Sequence, residues 1–291
     1  MPGHGDHWEA LYCAEEYVQS KISRDIQEGR FVGTADCVDV EDGTDRTEQV
    51  ACLRWGNDRL AHQTLVVSNS AKQSNFLFSG YPVVLDGSPA EVTISKVEPW
   101  EYGIEGWVHG SVTSEEASIC FFDTMYFAGT AGLTEGEVVT YQLAGLAYWL
   151  RPIQMRSFEV NEGGMWEVEK QRRLEAGESL EEASRPVQLH LTGAAIFLPH
   201  GSDGDARDDA QFQGVIEAID TFEHDGQKIY RLEMVLMRPG DEEFRMPVYA
   251  SERALEGYVP RLGEDVEGVM WVQGRRIDAD AALNVHLVEK H

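Results

Sequence analysis

One acidic side chain, Asp123, stands among apolar and aromatic residues in the stretch ICFFDTMYF, residues 119–127. A carboxyl group in apolar surroundings can act as a general acid or base, because burial raises its pKa. This chemistry requires a second titratable group with a complementary pKa. The nearest ones along the chain are His109, Glu115 and Glu116.

A β-strand is the simpler interpretation of the same stretch. With a period of two, Cys120, Phe122, Thr124 and Tyr126 share one face, which is apolar except for the threonine. A small barrel needs such a face toward its interior. The alternation therefore predicts Asp123 on the outer face or as a cap after the strand, in a structural or interface role.

Metal chemistry is the second possibility. His4, His7 and Cys13 cluster near the N-terminus, but structural zinc needs four ligands in a rigid frame. The remaining histidines are spaced too widely along the chain to suggest a shared ion, and we expect them at the surface or paired in the core. They include His62, His190, His200, His224 and His286. The sequence predicts no metal and no cofactor.

Nucleophile and phosphate-binding motifs are absent from the sequence. It contains no GxSxG, HExxH or GxxxxGK[ST], and no GxGxxG that opens a helix. The four cysteines show neither CxxC spacing nor a dense framework, which favours free thiols in a reducing, cytoplasmic setting. These features favour a non-enzymatic protein.

The charge is strongly acidic. The 291 residues include 51 Asp and Glu against 24 Lys and Arg, a formal net charge of −27, and six of the basic residues are Lys. Such a field repels phosphate backbones and anionic lipid, so we expect no binding to random duplex DNA and no membrane association. A salt-adapted or GC-rich bacterial source accounts for this composition. The alternative is a surface built for a basic partner, or one that mimics nucleic acid.

The periodicity predicts a mainly β chain. Apolar residues at three- and four-residue spacing predict a helix over 6–28 that stops at Gly29, and a period of two predicts a hairpin and further strands up to about residue 160. Residues 161–187 are charged and rich in helix formers, which predicts a helical linker. An acidic stretch, 202–211, is expected to be an exposed loop.

The segments on either side of the linker are alike. The first half contains FSGYPVVLDGSPAEVTISKVEPWE followed by GIEGWVHGSV, and the second half contains LTGAAIFLPHGSDGDARDDAQFQGVIEAIDTFE followed by KIYRLEMVLM. Both halves then carry a strand, a short segment and Gly-Glu. Each half closes on Gly, apolar residues and Trp, in GLAYWLRP and GVMWVQGR, so we expect Trp149 and Trp271 to be equivalent core positions.

This order of three strands, a short helix and a Gly-initiated fourth strand resembles the five-stranded OB-fold barrel. The resemblance implies architecture only, since that fold binds oligonucleotides, oligosaccharides and proteins alike. The predicted fold is mainly β, with two OB-like small barrels in tandem. The predicted domains are 1–78, a helix and hairpin region packing on the first barrel; 79–160, the first barrel; 161–187, the linker; and 188–291, the second barrel.

A binding or adaptor protein with a protein partner is the function that these features favour. Aromatic residues expected at the surface are interface candidates. They are Trp100, Tyr102, Trp107, Tyr126, Phe222 and Tyr258, with Asp123 beside them. Binding of single-stranded nucleic acid or oligosaccharide in a local groove is the alternative, since several arginines lie on second-half strands or near the linker. They are Arg231, Arg238, Arg245, Arg275 and Arg276, with Arg172 and Arg173 in the linker.

Overall fold

The computed structural model describes residues 6–13, 15–38, 45–69, 74–112, 117–199 and 208–283. The fold is mainly β, as the sequence predicts, and has several sheets. Within these ranges, no helix combines the length and the apolar character needed to cross a membrane.

The N-terminal region begins with two helices instead of the single helix predicted over 6–28. A 3₁₀ helix spans Asp6–Ala10 and helix α1 spans Glu15–Glu28. Residues 11–13 interrupt the predicted helix, and Trp8, Ala10, Leu11 and Tyr12 are all buried. Helix α1 ends before Gly29, as expected.

Four antiparallel strands follow in a meander. They are β1 (Arg30–Val38), β2 (Asp45–Gly56), β3 (Leu60–Asn69) and β4 (Ser74–Val84), which pair in chain order. The predicted hairpin is therefore confirmed as the β1–β2 pair.

A nine-stranded sheet contains the two similar halves. The first half supplies β5 (Ser88–Pro99), β6 (Gly106–Ser111), β7 (Ser118–Asp123) and β8 (Val138–Pro152). The second half supplies β12 (Asp209–His224), β13 (Gln227–Met237), β14 (Phe244–Ser251) and β15 (Asp265–Arg276). Strand β11 (Ile196–Pro199) pairs with the edge of β12.

The pairings form two closed rings of five strands that share β8 and β15. One ring runs β5–β6–β7–β15–β8 and returns to β5; the other runs β12–β13–β14–β8–β15 and returns to β12. In each ring the third strand pairs in parallel with the last strand of the other half. Sharing is possible because β8 has 15 residues and β15 has 12. At this length, the two ends of each strand pair with strands of different rings.

The two halves repeat individual backbone hydrogen bonds as well as the strand order. Gly136 N donates to Ile94 O while Ile94 N donates to Glu137 O, and Gly263, Ile216 and Glu264 make the same pair of bonds. Both glycines have positive φ, 86° and 80°, a conformation that favours glycine. Equivalent turns therefore lead into β8 and β15.

Between the halves lies an arm, residues 157–190. Strands β9 (Ser157–Val160) and β10 (Val187–His190) pair at its base, and helices α2 (Gly164–Glu175) and α3 (Leu180–Ala183) lie between them. The helical character predicted for 161–187 is thus confirmed. A fourth helix, α4 (Glu252–Leu255), lies between β14 and β15, where the first half has the 3₁₀ helices Tyr126–Ala128 and Thr130–Gly132.

The described side chains form two apolar clusters. One lies inside the shared rings and contains Phe121, Phe212 and Met270. The other lies between the rings and the N-terminal region and contains Trp8, Phe122 and Trp271. Strand β7 therefore buries both of its faces.

Candidate functional site

The most concentrated group of ionisable side chains joins the N-terminal region to the second half of the chain. It contains residues from helix α1, strand β3, the turn between β12 and β13, and the segment before α1. They are Tyr12, Lys21, Arg24, Asp25, His62, His224 and Asp225.

His62 is at the centre of this group. Its Nδ1 lies 2.9 Å from Asp25 Oδ2, and its Nε2 lies 2.8 Å from the Tyr12 hydroxyl and 3.2 Å from His224 Nε2. Both imidazoles are buried, and burial lowers the pKa of His62 and lowers that of His224 to about 3. The two rings are therefore neutral at pH 7, with His62 donating from Nδ1 to the Asp25 carboxylate and accepting at Nε2 from His224, because the Tyr12 hydroxyl donates to Asp225.

Asp225 makes the charged half of the contact. Its carboxylate accepts from the Tyr12 hydroxyl at 2.6 Å and from Arg24 at 2.8 Å, and it forms an ion pair with Lys21. Burial raises the pKa of Asp225, but the hydrogen bonds from Lys21, Tyr12 and Arg24 prevail and lower it to about 2. Asp225 has a positive φ of 49° and Gly226 one of 79°, which is typical of a two-residue hairpin turn. This turn therefore presents the carboxylate to helix α1.

A pocket of about 450 Å³ lies beside the cluster. It is lined by Glu28, Arg30, Arg54, Trp55, Gly56, Asn57, Glu223, His224 and Asp225. The guanidinium of Arg24 stacks on Trp55 at 3.3 Å from the ring centroid and covers that side. His62 and Asp25, the pair with the geometry of a proton relay, have side chains only 0% and 1% exposed and do not line the pocket, so this pair holds two parts of the fold together.

Metal binding finds no support in the described ranges, where no group of three or more His, Cys, Asp or Glu is arranged to hold an ion. His7 stacks on Trp271, with ring centroids 3.8 Å apart, and Cys13 is exposed. His4, His200 and His286 lie outside the described residues, as does the stretch 200–207.

Asp123 is fully buried, so its expected place on the outer face is wrong. It ends β7 and accepts hydrogen bonds from Met125 N at 2.8 Å, Thr130 Oγ1 at 2.6 Å and the Tyr141 hydroxyl at 3.3 Å. The other expectation, a cap after the strand, describes this position. Ser251 does the same at the end of β14, where its hydroxyl accepts from Ala254 N.

The partners considered for Asp123 lie elsewhere or outside the described ranges. His109 Nε2 is 3.5 Å from Glu98 Oε2 and 3.8 Å from Cys120 Sγ. Glu115 and Glu116 are not among the described residues. Burial raises the pKa of Asp123, but its three hydrogen bonds use the carboxylate to hold the turn.

The aromatic candidates differ in exposure. Tyr102 is 53% exposed, as expected, but Tyr126 is only 1% exposed, because its ring packs against Gly106, where no side chain fits. The other four, Trp100, Trp107, Phe222 and Tyr258, are half-buried. Trp100 and Trp107 form an edge-to-face pair with centroids 5.0 Å apart, and Arg59 covers the ring of Phe222 at 4.3 Å.

The arginines proposed for a basic groove are paired with acidic or polar side chains. On the second-half strands, Arg231 pairs with Asp86, Arg238 with Glu243, and Arg245 with Glu217 and Glu243. Arg276 pairs with Asp278, Arg275 donates to Gln142, and Arg172 and Arg173 pair with Glu169. The ion pairs of six of these arginines neutralise the positive charge that single-stranded nucleic acid would need.

The two tryptophans are not equivalent core positions, because only Trp271 is fully buried. Trp271 is fully buried and donates from Nε1 to Asp208 Oδ2 at 2.7 Å. Trp149 is half-buried, with the Arg151 guanidinium 4.8 Å from its ring. The equivalent turns at Gly136 and Gly263 explain the difference: Trp149 lies 13 residues after Gly136 and Trp271 lies 8 residues after Gly263, so the two occupy different positions along β8 and β15.

No protein-family model matches the chain, and a search of curated proteins finds no match.

Proposed function

We propose that this chain is a non-enzymatic binding protein that contacts a protein partner, with a scaffold of two OB-like barrels that share two strands. The two closed rings, and the helical segment between the third and fourth strand of each half, support the resemblance to the OB-fold. The order of domains stays the one predicted from the sequence, but the N-terminal region extends to the end of β4 at Val84, the arm includes β9 and β10, and β8 and β15 contribute to both barrels.

The arm carries the proposal. Phe158, Met165, Val168 and Leu180 are 39%, 58%, 71% and 65% exposed, while Ala183 is the one buried residue of helices α2 and α3. A segment that exposes four large apolar side chains and buries so little is typical of an interaction site.

The arm is nevertheless held in a defined conformation. Trp166 Nε1 and Arg173 Nη1 both donate to Arg185 O, at 3.3 Å and 3.0 Å, and tie α2 to the segment after α3. Ser179 and Glu182 form a capping box at the start of α3. Because this conformation is preformed, binding to a partner would cost the arm little conformational entropy.

An affinity capture from the native source tests the proposal. The full chain should retain a protein that the double variant Met165→Ser, Val168→Ser loses. The matched control is Val259→Ser, Leu262→Ser, which changes two other side chains that are 59% and 68% exposed and should retain the protein. Equal retention by the two double variants, or recovery of nucleic acid without protein, would refute the proposal.

A further inference from the structure

A second pocket, of about 570 Å³, lies where β8 begins and β15 ends. It is lined by Leu133, Val138, Val139, Thr140, Arg276, Ile277 and Asp278. Val138 and Ile277 are 60% and 53% exposed, and Ile277 N donates to Thr140 O at 3.2 Å. The pocket thus presents two large aliphatic side chains on a hydrogen-bonded frame.

Exposed carboxylates lie next to the pocket, across β5 and in the segment that leads into β8. Glu91 is exposed and pairs in register with Thr140 across β5 and β8, so the two side chains share a face. Glu135 and Glu137 are exposed and precede Val138 in the chain.

The positive charge of the lining is already paired. Arg276 is its one basic residue, with a side chain 12% exposed and Nε 2.8 Å from Asp278 Oδ1. Asp278 is itself 70% exposed. The lining therefore contains one ion pair and no net charge, and the three exposed carboxylates next to it, in register or in sequence, are Glu91, Glu135 and Glu137.

We propose that this pocket binds a cationic segment of a partner protein, which inserts one aliphatic side chain between Val138 and Ile277 and places flanking Lys or Arg against the carboxylates. Apolar contact supplies the site for the inserted side chain, and charge complementarity selects its neighbours. A second copy of the chain would bring another net charge of −27 against this rim, and nucleic acid would bring phosphates. The pocket lies outside the arm, so this contact goes beyond the proposed function and is tested separately.

Fluorescence anisotropy with labelled peptides tests it. The probe is the peptide KRLRK, and its matched control is KRSRK, which keeps the charge and removes the aliphatic side chain. The unmodified full chain should bind KRLRK about tenfold more tightly than KRSRK, in line with partial burial of one leucine. The Val138→Ser, Ile277→Ser variant should bind both peptides equally, and the arm variant Met165→Ser, Val168→Ser should retain the preference.

A charge variant tests the carboxylates separately from the aliphatic side chains. Glu91→Gln, Glu135→Gln changes two exposed side chains and should weaken both peptides equally and reduce the salt dependence of binding. Equal affinity of the unmodified chain for KRLRK and KRSRK would overturn the proposal, as would an unchanged salt dependence in the charge variant. A dimer that only the Val138→Ser, Ile277→Ser variant abolishes would identify a second copy as the occupant and overturn it as well.

Discussion

The Nε2 atoms of His62 and His224 lie 3.2 Å apart, although 162 residues separate the two histidines in the chain. One ring belongs to the N-terminal sheet and the other to the end of β12. Together with Asp225, this contact attaches the N-terminal region to the second half.

The buried histidines should make stability fall in mild acid. Burial lowers the pKa of both rings, that of His224 to about 3, so their contribution is fully present above the unfolded pKa of about 6.5 and is lost as pH falls below it. At about pH 5 the loss for His224 is roughly 2 kcal/mol. Urea unfolding of the parent and of His224→Gln at about pH 7.5 and pH 5 checks this. Between the two pH values, His224→Gln should lose less stability than the parent. Equal loss in both proteins would contradict a lowered pKa of His224.

Asp225 should contribute most to stability among the ionisable residues that join the N-terminal region to the second half, which we call the histidine clamp. Asp225→Asn leaves the charges of Lys21 and Arg24 without their shared carboxylate and should cost about 3 kcal/mol of unfolding free energy. The matched control is Asp220→Asn on β12, the strand that leads into the turn, whose exposed carboxylate pairs with Arg59 at 2.8 Å. This control should unfold like the parent, because exposed ion pairs contribute little. Similar destabilisation of both variants would refute the clamp.

Asp123 should matter for stability and not for binding. Asp123→Ala removes the acceptor of three hydrogen bonds and should cost about 3 kcal/mol. Thr130→Val removes one of them and should cost about 1 kcal/mol. Denaturant titrations measure both. A stable Asp123→Ala protein that had lost its captured partner would assign Asp123 to the interface instead.

The two tryptophans should respond differently to truncation. Trp271→Ala empties a fully buried site and should cost about 3–5 kcal/mol. Trp149→Ala should cost less than half as much, because Trp149 is only half-buried. Thermal melts compare the two variants, and equal shifts would contradict the difference in burial between the two tryptophans.

Random duplex DNA should not bind. All of the arginines that could form a groove except Arg275 are paired with carboxylates, as Arg231 is with Asp86, and the net charge is −27. We expect no gel shift at about 0.15 M salt. A salt-sensitive shift would support the nucleic-acid alternative.

Local patterns predicted the strands, but they could not predict how the strands close. The period of two identifies β5 and β12 because alternation is a property of one strand. Strand β8 pairs with both β5 and β14, and its partner residues on β14 are more than 100 residues away in the chain. No pattern within one half shows that its last strand also completes the other half.

Burial of both faces of β7 had a signal in the sequence. The run ICFF lacks polar alternation, which is typical of a strand covered on both sides. Phe121 enters one apolar cluster and Phe122 the other, and this leaves Asp123 no exposed face.

The histidine clamp had only an indirect signal. Lys21 and Asp25 lie one turn apart on α1 and are 9% and 1% exposed, so charged residues continue its buried side beyond the apolar stripe. Opposite charges at this spacing are also typical of an exposed helix face, so the spacing alone does not show that the two residues are buried. Its partners, His62 and Asp225, are distant in sequence and could not be assigned from spacing.

Amide hydrogen exchange of the chain with its captured partner tests the central claim most directly. If the arm is the interface, exchange in residues 164–183 should slow on binding, with Met165 and Val168 within the protected segment. Peptides from β2 and β3 serve as the internal reference and should exchange at the same rate with and without the partner. Protection elsewhere, with exchange in the arm unchanged, would contradict the account.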